Sequence, residues 1–260
     1  MATLVMGVLN VTPDSFSDGG RWTDPELALD RGLEMVAEGA DVIDVGGEST
    51  RPGAQPVDDA EQCRRVLPVI RALAPHVRVS VDTRSAGVAE AAVDAGATLI
   101  NDVSASLWPV AAASAPEVGW VAMHMQGEPS TMQVDPHYDD VVAEVRAFLV
   151  ERAAAARADG VTEVWIDPGI GFGKAIEHNL ALLAQVDELV TTGLPVLVGA
   201  SRKGFLGTLL GGASSDDRLE GSLAVAVWTA GRDVGMVRVH DVAATVDALR
   251  LAGATTAGPA

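Results

Sequence analysis

Acidic side chains end two of the short apolar runs that could form buried strands in this chain. Asp82 ends the run Val77-Arg-Val-Ser-Val-Asp82, and Asp167 ends the run Val164-Trp-Ile-Asp167. Side chains alternate between the two faces of a strand, so Asp82 shares a face with Ser80 and lies opposite the valines. A buried carboxylate is costly unless it meets hydrogen-bond donors or a cation. The two acidic residues therefore predict a ligand that carries several N–H donors.

Basic hydrogen-bond donors gather after the last two apolar runs. Lys203 follows the seventh run, and Arg238 and His240 alternate with valines in the eighth, so they share one face. The whole chain has 36 acidic and 18 basic residues and a formal net charge of -18, so three such donors in one place favour a local anion pocket. The alternative is that Arg238 neutralises a neighbouring aspartate.

The elements that must position these residues alternate between short apolar runs and longer amphipathic segments. Strands are predicted at Leu4–Asn10, Val42–Gly46, Val77–Asp82, Thr98–Asp102, Trp120–His124, Val164–Asp167, Pro195–Gly199 and Val237–His240. Helices are predicted near residues 25–39, 58–74, 85–95, 108–115, 138–159, 177–192, 217–231 and 242–252. Every predicted strand ends at or just before a polar residue, which is more than helix capping alone explains.

This alternation predicts a single-domain (β/α)₈ TIM barrel over residues 1–252, with a disordered tail at residues 253–260. Each strand–helix pair has about 32 residues, the size that a βα unit needs. The carboxyl ends of barrel strands meet at one mouth, where this fold builds its active sites. The alternative is an open doubly wound sheet, which usually carries G-x-G-x-x-G after its first strand, whereas this chain has Gly7-Val-Leu-Asn10 there.

Composition excludes several classes of protein. The negative net charge argues against non-specific binding to nucleic acid or anionic membranes. One cysteine, Cys63, permits neither an internal disulfide nor a cysteine-based zinc site. The start of the chain lacks a signal-peptide pattern, and no uncharged apolar run reaches the roughly 18 residues that a membrane span requires. We expect a soluble, cytoplasmic protein.

The first two loops at the predicted mouth are long and rich in glycine and proline. They cover Thr12–Gly20 and Glu48–Gly53. Loops of this kind often bind ligands or close over them. Phe16 lies in the first loop and Phe172 in the sixth, and an aromatic ring at a barrel mouth favours a slot for a flat ligand.

Eight segments of the chain together resemble the dihydropteroate synthase family, the sulfonamide target of folate synthesis. Several of them are long and unusual in composition, such as Asp167-Pro-Gly-Ile-Gly-Phe-Gly-Lys174. They occur in order over nearly the whole chain: Asn10–Gly20, Asp44–Gly53, Ser80–Thr83, Ile100–Val103, Met123–Gly127, Asp167–Lys174, Ser201–Lys203 and Arg238–Asp241.

The resemblance implies an activity, a cofactor and partners. Members condense 6-hydroxymethyl-7,8-dihydropterin pyrophosphate with 4-aminobenzoate and release pyrophosphate with the help of Mg²⁺. Early loss of pyrophosphate leaves a pterin-methyl cation, which the arylamine attacks. Sulfonamides compete with aminobenzoate. The resemblance also implies a homodimer formed through helices, here Gly221–Gly231 and Asp241–Leu251, and no nucleic-acid or membrane partner.

The resemblance also implies roles for individual residues. The pterin is assigned to Asp82, Asn101, Met123, Asp167 and Lys203, and pyrophosphate to Asn10, Arg238 and His240, with Mg²⁺ on Asn10. Aminobenzoate is assigned to Phe16, Thr50, Arg51, Pro52, Phe172, Lys203 and Gly204. The implied catalytic residues are Asp18, Arg51, Lys203, Arg238 and His240.

One position departs from the family. Many members carry a serine or arginine after Ser201-Arg-Lys203, whereas this chain has Gly204. The Gly204 N–H at a helix start could still bind a carboxylate, but we expect weaker affinity for aminobenzoate and sulfonamides. Two roles stay open: His124 is either a ligand contact or a buried supporting histidine, and Glu48 either orders the second loop or contacts substrate.

Two other functions are compatible with part of the pattern. A pterin-binding barrel that transfers a methyl group from methyltetrahydrofolate to a corrinoid protein would need Asp82, Asn101 and Asp167. It would have no need of Ser49–Gly53 or of the Arg238 and His240 pair. A non-catalytic homologue would bind a pterin or a protein without turnover, but all the candidate residues are present here.

Overall fold

The computed structural model describes residues 2–12, 25–48 and 57–256, with side chains to residue 253. Parts of the first two mouth loops, residues 13–24 and 49–56, lie outside this description. The predicted site residues Phe16, Asp18, Thr50, Arg51 and Pro52 fall in these two stretches, and so their assignments stay predictions.

Eight parallel strands form one sheet in the order β6-β5-β4-β3-β2-β1-β8-β7. Their bounds are β1 Leu4–Asn10, β2 Val42–Gly46, β3 Arg78–Asp82, β4 Leu99–Asp102, β5 Gly119–Met123, β6 Val164–Asp167, β7 Leu197–Val198 and β8 Met236–Val239. A parallel bridge between Ile166 and Val196 joins β6 to the β7 segment, so the two ends of the sheet meet. The predicted TIM barrel is confirmed, and the open doubly wound sheet is not found.

Strand β7 is shorter than the sequence predicts. The expected strand was Pro195–Gly199, whereas the ladder covers Leu197–Val198. Pro195 has no N–H to donate to a ladder, and Gly199 has no side chain to pack, so both are poor strand residues. The remaining strand ends agree with the predictions to within one residue.

Helices separate the strands as expected. They are α1 Pro25–Ala37, α2 Asp59–Leu73, α3 Ala86–Asp94, α4 Trp108–Ala113, α5 Val141–Ala158, α6 Ile176–Ala184, α7 Asp187–Val190, α8 Gly204–Leu209, α9 Leu219–Ala230 and α10 Val242–Thr256. Side-chain caps start several of them; the Asp58 carboxylate, for example, accepts the Glu61 N–H at 2.8 Å. In the part of the chain described, no helix combines the length and the apolar character needed to cross a membrane.

Two helix predictions need correction. The segment predicted as one helix near residues 177–192 is two helices, α6 and α7. Helix α10 continues to Thr256, so residues 253–256, which the sequence places in a disordered tail, are helical. Alanine is the best helix former, and one glycine costs only about 1 kcal/mol, so the Ala-rich end of the chain can extend the helix.

Two apolar layers result from the alternation along the strands. Outward residues such as Val79, Val81, Val237 and Val239 pack against the helices in the main core. A smaller inner layer fills the barrel below the mouth and consists of Met6, Val42, Leu99, Val121, Trp165, Leu197 and Met236. The layer makes a packed floor, so the polar residues above it face a cavity and not a pore.

Candidate active site

A narrow cavity opens at the carboxyl ends of the strands. The structure brings seven of the residues predicted from sequence into its lining, and Val103, Gly169, Ile170 and Gly199 complete it. The seven are Asp82, Asn101, Met123, Asp167, Phe172, Lys203 and Arg238.

Arg238, on the inner face of β8, forms two ion pairs. Its Nε lies 2.6 Å from Asp44 Oδ2, and its Nη2 lies 2.7 Å from Asp82 Oδ2. The Arg238 side chain is only 18% exposed, so this is a buried charge network. In this structure Arg238 therefore neutralises neighbouring aspartates, which is the alternative that the sequence left open. Arg238 also lines the mouth cavity, and its role in an anion pocket stays a prediction.

Asp44 is the residue of this network that the sequence interpretation missed. It is fully buried on β2, and its Oδ2 also accepts a hydrogen bond of 2.9 Å from Asn101 Nδ2. The signal was available, because Asp44 alternates with Ile43 and Val45, as Asp82 alternates with valines. Asp44 thus orients both Arg238 and Asn101.

Some acceptors in this region have no donor among the residues that the structure describes. They are Asp44 Oδ1, Asp82 Oδ1 and the Ser80 hydroxyl oxygen. Nearly all buried polar atoms in proteins are hydrogen-bonded, so an unpaired carboxylate oxygen beside a cavity indicates a ligand donor. Burial and the nearby Asp44 carboxylate raise the pKa of Asp82, although Arg238 opposes them.

Asp167 and Lys203 face the same cavity from β6 and from the turn after β7. Asp167 Oδ1 accepts a 2.7 Å hydrogen bond from the Gly169 N–H, yet burial raises the pKa of this carboxyl. Burial and Arg238 lower the pKa of Lys203. The Lys203 Nζ lies 3.9 Å from the centroid of the Phe172 ring. Perturbed titratable groups of opposite sign in one cleft are typical of a functional site.

A second polar group lies on the β1 and β8 side of the mouth. A Cβ atom on Gly46 would lie 3.6 Å from Asn10 Oδ1 and 3.6 Å from Asp82 Cβ, so the Asn10 side chain lies near Asp82, although neither Asn10 nor His240 is among the residues that line the cavity. His240 Nδ1 lies 3.0 Å from the Ser201 hydroxyl. Burial, with Arg238 beside it, lowers the pKa of His240 to about 3. His240 therefore contributes a neutral N–H donor and no charge in this structure.

Sequence comparison agrees with this geometry. A model of the family described as "Pterin binding enzyme" matches residues 6–240 of the chain. The chain belongs to the pterin-binding enzyme family. The cavity lined by Asp82, Asn101 and Asp167 therefore lies in a pterin-binding enzyme.

Individual relatives of this pterin-binding enzyme carry a consistent name. The dihydropteroate synthase of Mycobacterium leprae (strain TN) is 49% identical over 271 residues, which cover 98% of this chain and 94% of that protein. Yersinia pestis dihydropteroate synthase, solved with a sulfonamide drug complex, is 43% identical with a TM-score of 0.92, covering 99% of this chain and 95% of that one. Burkholderia cenocepacia dihydropteroate synthase complexed with 7,8-dihydropteroate is 46% identical with a TM-score of 0.87, covering 98% and 92%. The resemblance found in the sequence is confirmed.

The Ser201-Arg202-Lys203 turn of the pterin-binding enzyme has a constrained backbone. Arg202 has a φ of 58°, which side chains other than glycine rarely adopt and which costs on the order of 1–3 kcal/mol. Ser222 accepts the Arg202 N–H at 3.0 Å, and Arg218 donates to the Arg202 carbonyl at 2.9 Å. These contacts hold Ser201 beside His240 and Lys203 in the cavity.

Gly204 starts helix α8 at the end of this turn. A Cβ atom built on Gly204 would have nothing among the described residues within 4 Å. The site therefore has room for the serine that many family members carry, so this departure does not follow from crowding.

The two roles left open by the sequence have physical answers. Glu48 Oε1 accepts the Val57 N–H at 3.0 Å, and Glu48 Oε2 lies 3.6 Å from Arg84 Nε, so Glu48 joins the two ends of the second loop. His124 is 8% exposed, and it contacts Lys174 rather than lining the cavity. In the part of the chain described, Glu48 thus orders the second loop and His124 is a buried supporting histidine; whether either contacts substrate stays a prediction.

Proposed function

We propose that this pterin-binding enzyme has dihydropteroate synthase activity. It condenses 6-hydroxymethyl-7,8-dihydropterin pyrophosphate with 4-aminobenzoate, forming 7,8-dihydropteroate and pyrophosphate. The observation that carries this proposal is the pair of buried carboxylates, Asp82 and Asp167, on one cavity with Asn101, together with the unpaired Asp82 Oδ1. A pterin presents a 2-amino group and ring N–H donors along one edge, which can satisfy these acceptors.

Lys203 and the apolar lining would complete the pterin pocket. Lys203 also lines the cavity, and its Nζ would donate to the pterin carbonyl or N5. Met123 and Ile170 supply apolar contact for the flat ring. A flat heterocycle between apolar walls, with its polar edge fully paired, is the usual pattern of small-molecule recognition.

The pyrophosphate group would lie near Asn10, Arg238 and His240. Arg238 supplies charge, and His240 supplies one neutral ring N–H. The described residues contain no group of three His, Cys, Asp or Glu side chains that could hold a metal. Asn10 Oδ1 is an oxygen ligand that Mg²⁺ accepts when phosphate oxygens and water supply the other positions. We therefore assign Mg²⁺ to Asn10, where it would neutralise charge on the diphosphate.

The chemistry needs no strong base. The C–O bond to pyrophosphate breaks early, and its electron pair leaves with the diphosphate oxygen. The aminobenzoate nitrogen then forms the C–N bond and loses a proton to solvent, because an anilinium nitrogen is acidic. Stabilisation of the leaving group by donors already in place, Arg238 and His240, is the main catalytic contribution of the described residues.

The second substrate would bind outside the pterin, next to Phe172, Lys203 and Gly204. The other predicted contacts to aminobenzoate, namely Phe16, Thr50, Arg51 and Pro52, together with the proposed catalytic Asp18, lie outside the described residues. The sulfonamide drug complex of the Yersinia pestis relative supports sulfonamides as competing ligands.

We also propose a cytoplasmic homodimer formed by the outer faces of α9 and α10. Trp228 on α9 is 47% exposed, and Leu251 on α10 is 69% exposed. Large exposed apolar side chains on adjacent helices are typical of a subunit interface, where they are shielded from water.

A pyrophosphate-release assay tests the proposed function. With dihydropterin pyrophosphate and Mg²⁺ present, we expect release to depend on 4-aminobenzoate and 7,8-dihydropteroate to form in equal amount. Pterin binding without release would favour a non-catalytic homologue. Methyl transfer from methyltetrahydrofolate to a corrinoid protein would favour the other enzyme class. That reaction, however, has no need of the buried cation Arg238 at the mouth.

A further inference from the structure

Lys174 is a buried lysine in the loop between β6 and α6 that does not line the mouth cavity. Its residue is 2% exposed. Its Nζ lies 3.0 Å from His124 Nδ1, 3.2 Å from the His124 carbonyl oxygen and 3.0 Å from the Phe172 carbonyl oxygen. A single amine thus meets three acceptors, which matches the three donors of an ammonium group.

These acceptors belong to two different loops that border the cavity. His124 directly follows Met123 at the end of β5, and Phe172 follows Asp167 in the loop after β6. The two loops also touch through their backbones. A Cβ atom on Gly169 would lie 1.9 Å from the His124 carbonyl oxygen, and one on Gly173 would lie 2.2 Å from the Gln126 carbonyl oxygen. Lys174 therefore lies at a junction where the two loops are in backbone contact at positions that only glycine can occupy.

The junction keeps its hydrogen bonds in either protonation state of Lys174. Burial lowers the pKa of Lys174 to about 7, with Asp167 raising it and Lys203 lowering it, and burial lowers the pKa of His124 to about 3. The ammonium form donates to all three acceptors. The neutral amine donates to the two carbonyls and accepts from His124 Nδ1–H in its other tautomer.

We propose that Lys174 is a positioning residue for pterin binding. It locks the loop that carries Asp167 and Phe172 onto the strand end that carries Met123, and so fixes one wall and one acceptor of the pterin pocket. The proposal rests on the proposed function, because it assigns the pterin to this cavity. Removing the amine would leave two buried carbonyls and a ring nitrogen without their donor.

The test compares two ligands that use different parts of the mouth. In Lys174→Met, we expect the Kd of 6-hydroxymethylpterin to rise about tenfold or more, because the two buried carbonyls lose their donor and the loop that carries Phe172 loses its anchor. The Kd of inorganic pyrophosphate with Mg²⁺ is expected to stay within about twofold, because Asn10 and His240 lie on β1 and after β8. Isothermal titration calorimetry on the full chain measures both constants.

Arg78→Met is the matched control. Arg78 forms a two-point ion pair with Glu163, with distances of 2.9 Å and 2.7 Å, at the start of β3 and far from the mouth. The variant also replaces a paired cation by methionine, so it should lose stability while binding 6-hydroxymethylpterin as the wild type does. A rise in the pterin Kd that is equal in both variants would overturn the positioning role, as would unchanged pterin affinity in Lys174→Met.

A second variant decides the matter if Lys174→Met does not fold. His124→Phe removes the Nδ1 acceptor and keeps the backbone carbonyls, and the ring position already packs edge-on against Phe148 at 5.1 Å. We expect the pterin Kd to rise about threefold with pyrophosphate binding unchanged; an unchanged pterin Kd would overturn the proposal. If the wild type itself bound no hydroxymethylpterin, the proposed function would fail instead.

Discussion

Arg238 pairs with two buried carboxylates at the centre of the site, and Lys203 adds a second cation to the cavity lining. Asp44 and Asp82 share one guanidinium, with separations of 2.6 Å and 2.7 Å. Asp167 adds a third buried carboxylate, whose pKa burial raises. The site therefore keeps acceptors that are costly in the fold and are satisfied when a ligand donates to them.

Asp167→Asn tests this conflict between binding and stability. Asparagine keeps an oxygen for the Gly169 N–H but offers the pterin a donor where an acceptor is needed. We expect the Kd of 6-hydroxymethylpterin to rise by about tenfold to a hundredfold, in keeping with about 1.5–3 kcal/mol for a hydrogen bond to a charged group. Titration calorimetry measures the change, and an unaltered Kd would count heavily against the pterin assignment.

The same variant should change stability in the opposite direction. The pKa of Asp167 is raised from 3.8 to about 6, so the folded state binds more protons than the unfolded state between these values. The Asp167 carboxyl therefore contributes less and less to the free energy of unfolding as the pH rises from 3.8 to about 6, and this contribution is absent at higher pH. At pH 8 without ligand, Asp167→Asn should melt about 2–4 °C above the wild type, and the difference should vanish near pH 4. An equal difference at both pH values would contradict this explanation.

Asp44→Asn tests the residue that orients Arg238 and Asn101. The variant is nearly isosteric but leaves Arg238 with one carboxylate, and breaking a buried pair is costly. We expect a loss of about 2–4 kcal/mol in the free energy of unfolding, measured by urea denaturation. The exposed pair between Arg64 and Glu61 is the control, since Arg64→Gln should change the free energy of unfolding far less than Asp44→Asn does.

At the scale of elements, helix α8 and the turn before it set the outer half of the site. Arg202, with its φ of 58°, reverses the chain so that Ser201 and Lys203 reach the mouth on either side of it. Helix α8 then begins at Gly204. The element therefore positions the Gly204 backbone N–H next to Lys203, where the family resemblance places the aminobenzoate carboxylate.

Gly204→Ser should strengthen binding of the second substrate. The serine side chain meets nothing within 4 Å among the described residues and adds a hydroxyl donor beside the N–H. We expect the KM for 4-aminobenzoate to fall about threefold or more, because the new hydroxyl can donate a hydrogen bond to the carboxylate. The upper limit of the effect is the contribution of one hydrogen bond to a charged group, about 1.5–3 kcal/mol. The KM for the dihydropterin substrate should not change. Gly204→Ala separates the hydroxyl from the added methylene; if alanine gave the same improvement, the hydroxyl would not be its cause.

At the scale of the whole molecule, the barrel leaves large apolar side chains on its helical shell. Trp228 is half-exposed; its Nε1 donates to the Leu183 carbonyl at 3.2 Å, and Arg232 stacks on its ring at 3.3 Å. A C₂ dimer brings the same patch of both subunits together, so one substitution alters the interface twice.

Trp228→Glu should therefore convert the proposed dimer to a monomer. Burying two carboxylates in an apolar interface without partners costs far more than the interface can gain. Sedimentation velocity at several protein concentrations measures the change in mass. Leu209→Glu on α8, a residue that is also exposed, is the control and should leave the dimer intact. A wild type that sediments as a monomer would contradict the dimer.

The sequence by itself determined the alternation of elements, the barrel and the polar strand ends. These depend on local periodicity, because the period-2 pattern of each strand places Asp82, Asp167 and Arg238 on the inner face whatever the rest of the chain does. Only the tertiary structure decided which of these side chains pair. Arg238 lies 194 residues from Asp44, and Lys174 lies 50 residues from His124, so both contacts depend on the strand order, which places β8 and β2 on either side of β1 and β6 beside β5.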